Sequence, residues 1–251
     1  MKLALGTAQF GLSYGIANTQ GQISRDEARA IIDLAASKGV KTLDTAVGYG
    51  DSELRLGELD VKHWQVVSKL PALPDGCSDV SQWVRETVVQ SLKRLNVDAL
   101  YGLLMHRPQQ LFEREGANIH RALRKLQDDG LVRKIGVSIY DPSELDAICD
   151  RFPIDLVQAP FNVLDHRLIE TGWLSRMHEQ GMELHVRSIF LQGLLLMAPG
   201  KRPPKFDRWN RLWRDWHQWL AEANLTPLEA CLGHALSYPE IGRVIVGVDS
   251  L

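Results

Sequence analysis

Four residues in the first half of the chain have side chains whose types and order suit one piece of proton chemistry: Asp44, Tyr49, Lys69 and His106. Tyr49 can donate a proton, but a phenol with an unperturbed pKa of about 10 needs help to do so near neutrality. Lys69 could supply it, because an ammonium close to a phenol favours the phenolate and makes the hydroxyl more acidic. A buried carboxylate at Asp44 would keep that lysine charged and oriented. His106 could hydrogen-bond a substrate oxygen and hold it against the tyrosine hydroxyl, as an oxyanion donor does. Each residue also has a structural alternative. Asp44 could cap a turn, Lys69 could end a strand in solvent, Tyr49 could be a rim aromatic, and His106, followed by Arg107 and Pro108, could be a satisfied structural histidine.

The elements that would position these residues follow from the hydrophobic pattern. Short β-branched or leucine-rich runs such as KTLDTA, QVVSKL and ALYGLLMH alternate with longer segments of helical period such as SRDEARAIIDLAASKG and SQWVRETVVQSLKRLN, and the alternation continues to RVIVGV near the end. Helix punctuation agrees: Ser24 with Glu27 reads as a capping box, Pro227 follows Thr226 at a first-turn position, and Gly39, Gly130 and Gly181 stand where helices should stop. About eight such units predict a single (β/α)8 TIM barrel domain over residues 1–251, α/β in class. An open doubly wound sheet is the competing architecture, but its G-x-G-x-x-G signature is missing: Gly48-Tyr49-Gly50 begins it, and Glu53 stands where the last glycine belongs. In a barrel the C-terminal strand ends face the site. Asp44, Lys69, His106, Ser138, Gln158, Arg187, Ser188 and Gly247 all fall there.

Bulk composition excludes other classes. The chain of 251 residues carries a formal charge of -2, which offers no footprint for nucleic acid or an anionic membrane surface. No run of eighteen apolar residues occurs, and the N-terminal apolar stretch is interrupted at once by glycine, so neither a membrane span nor an export signal is expected. Three cysteines, Cys77, Cys149 and Cys231, lack any short spacing, which argues for a reducing cytoplasm and against a disulfide framework or a metal knuckle. No H-x-H follows the first strand, so metal-dependent hydrolysis is not expected. The segment DRWNRLWRDWHQWLAEANL reads as a helix with one face on the barrel, or as a lid on the active-site side for a large or anionic substrate.

In these motifs the chain resembles the aldo-keto reductases. LGTAQFG, LDTAVGYGDSE, VVSKLP, LLMHRP, KIGVSI, DLVQAPFN and VIVG match that family's landmarks in order from Leu3 to Gly247, with Lys69 twenty residues after Tyr49 and His106 thirty-seven after Lys69. The resemblance maps the family's catalytic tetrad onto Asp44, Tyr49, Lys69 and His106. It implies reduction of a small-molecule aldehyde or ketone with NADPH, NADH being possible, and with Tyr49 as proton donor. It further implies cofactor contacts at Thr7, Asp44, Ser138, Gln158, Arg187, Ser188, Phe190, Leu191 and Gly247, with Ser138 and Gln158 holding the carboxamide. Two positions depart from the family: Ile139 replaces an asparagine, and Arg187 replaces an aromatic that stacks on the nicotinamide. The chain stops at VDSL, where the family continues into a last helix carrying adenosine contacts; that helix is expected to be missing. Ala8, where the family has a bulky aromatic, suggests a roomier pocket suited to sugar-like carbonyls. A catalytically idle barrel that binds nicotinamide cofactor as a redox-sensing or interaction subunit is the alternative.

Overall fold

A computed structural model describes residues 1–251. Its strands are β1 (Leu3–Gly6), β2 (Thr42–Asp44), β3 (Gln65–Leu70), β4 (Leu100–Met105), β5 (Val132–Ser138), β6 (Leu156–Pro160), β7 (Glu183–Arg187) and β8 (Ile241–Gly247). The helices are α1 (Ala8–Gly11), α2 (Arg25–Ser37), α3 (Ser52–Glu58), α4 (Val80–Leu95), α5 (Gly116–Asp128), α6 (Glu144–Arg151), α7 (Arg167–Glu170), α8 (Trp173–Glu179), α9 (Asn210–Ala223) and α10 (Pro227–Leu236). Strands pair in parallel and in chain order, and β8 returns to β1, closing the (β/α)8 barrel. Residues 248–251 follow β8 without helical structure, and no helix is long and apolar enough to cross a membrane.

The elements form for local reasons. Ser24 accepts from Glu27 N at the start of α2, but Glu27 does not return the bond; its carboxylate accepts instead from Leu251 N, so the expected box is half made. Thr226 and Glu229 complete a full capping box at α10, with Pro227 at the first turn. Gly39, Gly130 and Gly181 follow helix ends with φ of +79°, +72° and +70°.

Two apolar layers build the core. The larger lies between barrel and helices and includes Phe10, Leu43, Leu103, Ile135, Phe161 and Trp173. The barrel's own centre is filled by Val67, Leu104 and Leu156. At the N-terminal mouth a polar group closes the bottom: Glu183 accepts from Tyr101, Lys134 and His185, and Arg243 bonds Thr42 and Gln65. The interior is thus plugged from below, and the C-terminal mouth opens into a cavity.

α9 takes the structural reading of the tryptophan segment. Trp213, Trp216 and Leu220 are buried against Leu195, Ala230 and Cys231, while Trp209 is 38% exposed and lies before the helix. The indole of Trp216 donates to Leu195 O at 3.1 Å, and Arg202 donates to the carbonyls of Leu194 and Met197. The helix and the basic segment before it therefore hold the loop after β7, which walls the cavity.

The loop after β2 is held from beneath by Glu53, which is 2% exposed on α3. Its carboxylate accepts from Ser68 at 2.6 Å and from Ser91 at 2.5 Å with one oxygen, and from two Arg94 nitrogens at 2.9 and 2.6 Å with the other. Glu53→Ala strands two buried hydroxyls and unpairs Arg94, and is expected to cost roughly 3 kcal/mol or more. Chemical denaturation measures this; a loss below about 1 kcal/mol would mean that solvent readily replaces the carboxylate.

Candidate active site

Barrel closure brings four distant residues to one end. Asp44 ends β2, Lys69 is the penultimate residue of β3, His106 follows β4, and Tyr49 stands on the turn between β2 and α3. All four line one cavity of about 390 Å³ at the C-terminal mouth.

Lys69 is the centre of the group. It is 1% exposed, and its ammonium donates to Asp44 Oδ1 at 2.7 Å and to Thr45 O at 2.8 Å. The same nitrogen lies 4.9 Å from the centroid of the Tyr49 ring. The His106 ring meets the Tyr49 ring edge-on, with centroids 6.0 Å apart and planes at 77°. His106 N also donates to Leu70 O, which ties the residue to the end of β3.

Tyr49 is placed by close approach of two backbones. A Cβ on Gly11 would lie 1.7 Å from Tyr49 O, and one on Gly50 would lie 2.4 Å from Gly11 O. Gly50 also has φ of +56°, whereas Gly48 has open space around it and no such requirement. The glycines flanking Tyr49 are therefore not equivalent: Gly50 is demanded by contact with α1.

Electrostatics differ from the simple expectation in one respect. Burial pushes the Tyr49 pKa up, Lys69 pulls it down, and Asp44 pushes it up again, so the phenol ends above its ordinary value of 10.0. Lys69 alone does not acidify it, because desolvation of the phenolate is the larger effect. For Lys69 burial works to lower the pKa, but Asp44 and Tyr49 outweigh it and hold the ammonium above the ordinary range. His106 is lowered by burial first and by Lys69 second, with Arg187 adding to the effect. Its imidazole is therefore neutral at pH 7 and carries one N–H.

The other predicted contacts divide. Ser138, Gln158, Arg187, Ser188, Phe190, Thr7 and Gly247 all line the cavity. Leu191 does not: between Phe190 and Gln192, which do, its side chain lines a shallow depression with Asn162 and Asp165 and packs against the tryptophan cluster. Thr7 is fully buried, and its hydroxyl is spent on Asp44 O and Ser52. Gln158 spans the barrel: its amide donates to Asp44 Oδ2 at 2.6 Å, and its oxygen accepts from Ser138 at 3.4 Å. Arg187 donates to Ile139 O at 3.0 Å and to Ser188 at 3.3 Å and covers the Tyr140 ring at 4.6 Å, without a carboxylate partner.

Several lining residues carried no signal in the motif reading, among them Gln9, Tyr14, Asn18, Gln192 and Asp249. Tyr14 and Asn18 belong to the loop after α1, whose Ile16 and Ala17 amides both donate to Gln192 O across the mouth. The SYGIAN stretch, with Ser13, Gly15 and Asn18 as turn-forming residues ahead of a helix, was the available hint.

Comparison with known proteins agrees with this architecture. Solved structures of a glycerol dehydrogenase from Gluconobacter oxydans and an aldo-keto reductase from Bacillus halodurans superpose with TM-scores of 0.75 each, at 22% and 21% identity. They cover 99% of this chain and 83% and 82% of their own. A D-threo-aldose 1-dehydrogenase from a Pseudomonas species is 27% identical over 84% of this chain and 77% of its own length. An aldo-keto reductase from Mycobacterium sp. (strain JLS) is 30% identical over 71% of this chain, which spans 64% of that relative's length. The family model for the aldo/keto reductases matches residues 2–251. With the closed barrel, the motifs and this match over nearly the whole sequence, the chain belongs to the aldo/keto reductase family of nicotinamide-dependent oxidoreductases.

Proposed function

We propose that this barrel, acting as one domain over residues 1–251, reduces an aldehyde or ketone to an alcohol, with NADPH ahead of NADH as cofactor and with Tyr49 as the proton donor. The observation that carries this reading is the buried ammonium of Lys69, held by Asp44 at 2.7 Å and set 4.9 Å from the Tyr49 ring on the wall of the same cavity as His106. A nicotinamide, when bound, would supply the hydride.

The residues present fit such a cofactor. Gly247 leaves a floor where a Cβ would come within 2.9 Å of Gln9, Ser138 and Gln158 offer a hydroxyl and a carboxamide at adjacent strand ends, and the unpaired Arg187 guanidinium suits a phosphate oxygen. Arg187, which stands where the family has a stacking aromatic, would then serve as a phosphate contact. Ser188 and Phe190 stand next to it on the cavity wall.

Each protein group then has one task. His106, neutral because burial and Lys69 disfavour its cation, donates its N–H to the substrate oxygen. Tyr49, raised in pKa and so fully protonated at pH 7, gives its proton to the same oxygen as charge develops there. Lys69 sits where it favours the phenolate that remains, and Asp44 keeps Lys69 charged. Three free cysteines suit a reducing cytoplasm.

Tyr49→Phe is expected to lower kcat by roughly 10² to 10⁴ and to leave nucleotide affinity within a few-fold. Retention of more than a tenth of wild-type turnover, measured through cofactor absorbance, would end the assignment.

The pH dependence follows from the sign of the Tyr49 shift. Reduction needs the protonated phenol, so its rate should hold through neutrality and fall only above the ordinary tyrosine pKa, while alcohol oxidation, which needs the phenolate, should rise with pH. Because Lys69 pulls that pKa down, Lys69→Met should move the falling limb to still higher pH at reduced kcat. An active Lys69→Met with an unshifted profile would make Lys69 purely structural.

A further inference from the structure

Packing against the barrel leaves two features of the segment after β7 unexplained. The first is charge. From Lys201 to Asp215 stand six cations and two acids, in a chain whose total charge is -2, so that total conceals a basic face. Arg202 is spent on the carbonyls of Leu194 and Met197, but Lys201, Lys205, Arg208, Arg211 and Arg214 are all exposed. The ion pair in this stretch joins Arg211 to Asp215 at 3.9 Å, with side chains 90% and 66% exposed, and such a pair contributes little. Like charges left unpaired on one face repel, and an anionic partner relieves the repulsion.

The second feature is apolar surface. α9 buries Trp213, Trp216 and Leu220, yet its apolar face is wider than the protein covers. Trp209, Leu212, Trp216 and Trp219 follow one another at spacings of three, four and three along the outer edge of that face. Trp209, Leu212 and Trp219 remain 38%, 37% and 46% exposed. At the helical rise the strip is roughly 15 Å long. Cations flank it: the Arg208 guanidinium lies 3.8 Å from the Trp209 ring centroid, and the Lys205 ammonium lies 5.2 Å from that of Phe206, which in turn meets Trp209 at 5.9 Å.

Indole and leucine in a strip beside lysine and arginine make the composition of a helix that lies in a membrane interface. Single-stranded nucleic acid also uses cations with aromatics, but its bases need open ring faces. Here Arg208 covers a face of Trp209, and Trp219 stacks on Trp216 with centroids 5.5 Å apart. A straight strip on the convex side of a helix fits a plane.

We propose that the outer edge of α9 and the turn before it dock this protein on an anionic lipid surface. Trp209, Leu212 and Trp219 enter the headgroup layer, and Lys205, Arg208 and Arg211 face the lipid phosphates. The contact is peripheral, because no helix is long and apolar enough to cross a membrane. It lies outside the cavity, whose lining includes no residue from 198 to 219, and it does not depend on the reductase reading.

The test mixes the full chain with vesicles of phosphatidylglycerol and phosphatidylcholine in equal parts, or of phosphatidylcholine alone, and measures the bound fraction by sedimentation. At low salt the protein should partition onto the anionic vesicles about tenfold or more in excess of the neutral ones. That preference should fade as salt rises to about 1 M, where screening acts within about 3 Å. One cation at an anionic surface corresponds to about a fivefold change in partition, so Arg208→Gln with Arg211→Gln should weaken anionic binding about twenty- to thirtyfold. Both sites are exposed, so this variant should melt with the wild type. If it melts lower, Lys205→Gln replaces it, with about a fivefold loss expected. Leu212→Gln, which keeps the size of the side chain and removes its apolar character, should cost about fivefold at every salt concentration. Equal partition onto the two vesicle types, or charge variants within about twofold of wild type, would overturn the docking surface. A Leu212→Gln chain that binds as the wild type does would show that charge alone is read and would overturn insertion of the strip. Tighter binding of oligo-dT or polyglutamate than of the anionic vesicles would assign the face to nucleic acid or to an acidic protein, and the lipid proposal would fall.

Discussion

The buried ion pair between Lys69 and Asp44 is the constraint around which the mouth of this barrel is built. Removing two charges from water is costly, and their mutual attraction offsets that cost only when the remaining donors and acceptors also find partners. Here they do. Asp44 gives one oxygen to Lys69 and the other to Gln158, and Lys69 gives a second proton to Thr45 O. Those partners come from β2, β3 and β6, so the pair is satisfied only after the barrel has closed. Folding and assembly of the site are one event.

The same pair acts, second to burial, on the protonation of its neighbours. Tyr49 and His106 both sit where burial disfavours charge, and both are therefore neutral at pH 7. A neutral phenol and a neutral imidazole can each donate to a single oxygen, whereas a phenolate or an imidazolium would change the balance of charge in the cavity. Lys69 lowers the pKa of both residues, yet burial opposes it for the phenol and reinforces it for the imidazole. One cation thus has opposite standing against burial at two neighbouring groups, because the charged form is an anion in one and a cation in the other.

Rigidity around the pair comes from contacts without chemistry of their own. Gly11 and Gly50 let the α1 backbone and the Tyr49 turn touch, Glu53 ties that turn's helix to β3 and α4, and the tryptophans of α9 hold the loop after β7. These devices leave the cavity wall polar and ordered. They also explain why a segment dense in tryptophan and arginine is scaffold: Trp213 and Trp216 face inward at helical spacing, and Arg202 just before the segment is spent on the carbonyls of Leu194 and Met197.

Much of this was legible in the sequence. Strand and helix alternation is a local property, written in side-chain period and in caps, and it predicts a barrel and hence that strand-end residues share a mouth. Asp44, Lys69 and His106 were therefore readable as neighbours before any coordinates. What the sequence could not carry was the set of relations that depend on closure. Gln158 reaching Asp44 across the barrel, the half-made cap at Ser24, Leu191 packing against the tryptophan cluster, and the buried, unpartnered Oε1 of Gln9 all arise between segments far apart in the chain. The net shift on Tyr49 is of the same kind. Residue types announce that Lys69 should acidify it, but whether that wins depends on how completely water is excluded, and only the closed tertiary structure decides how much of the phenol is buried.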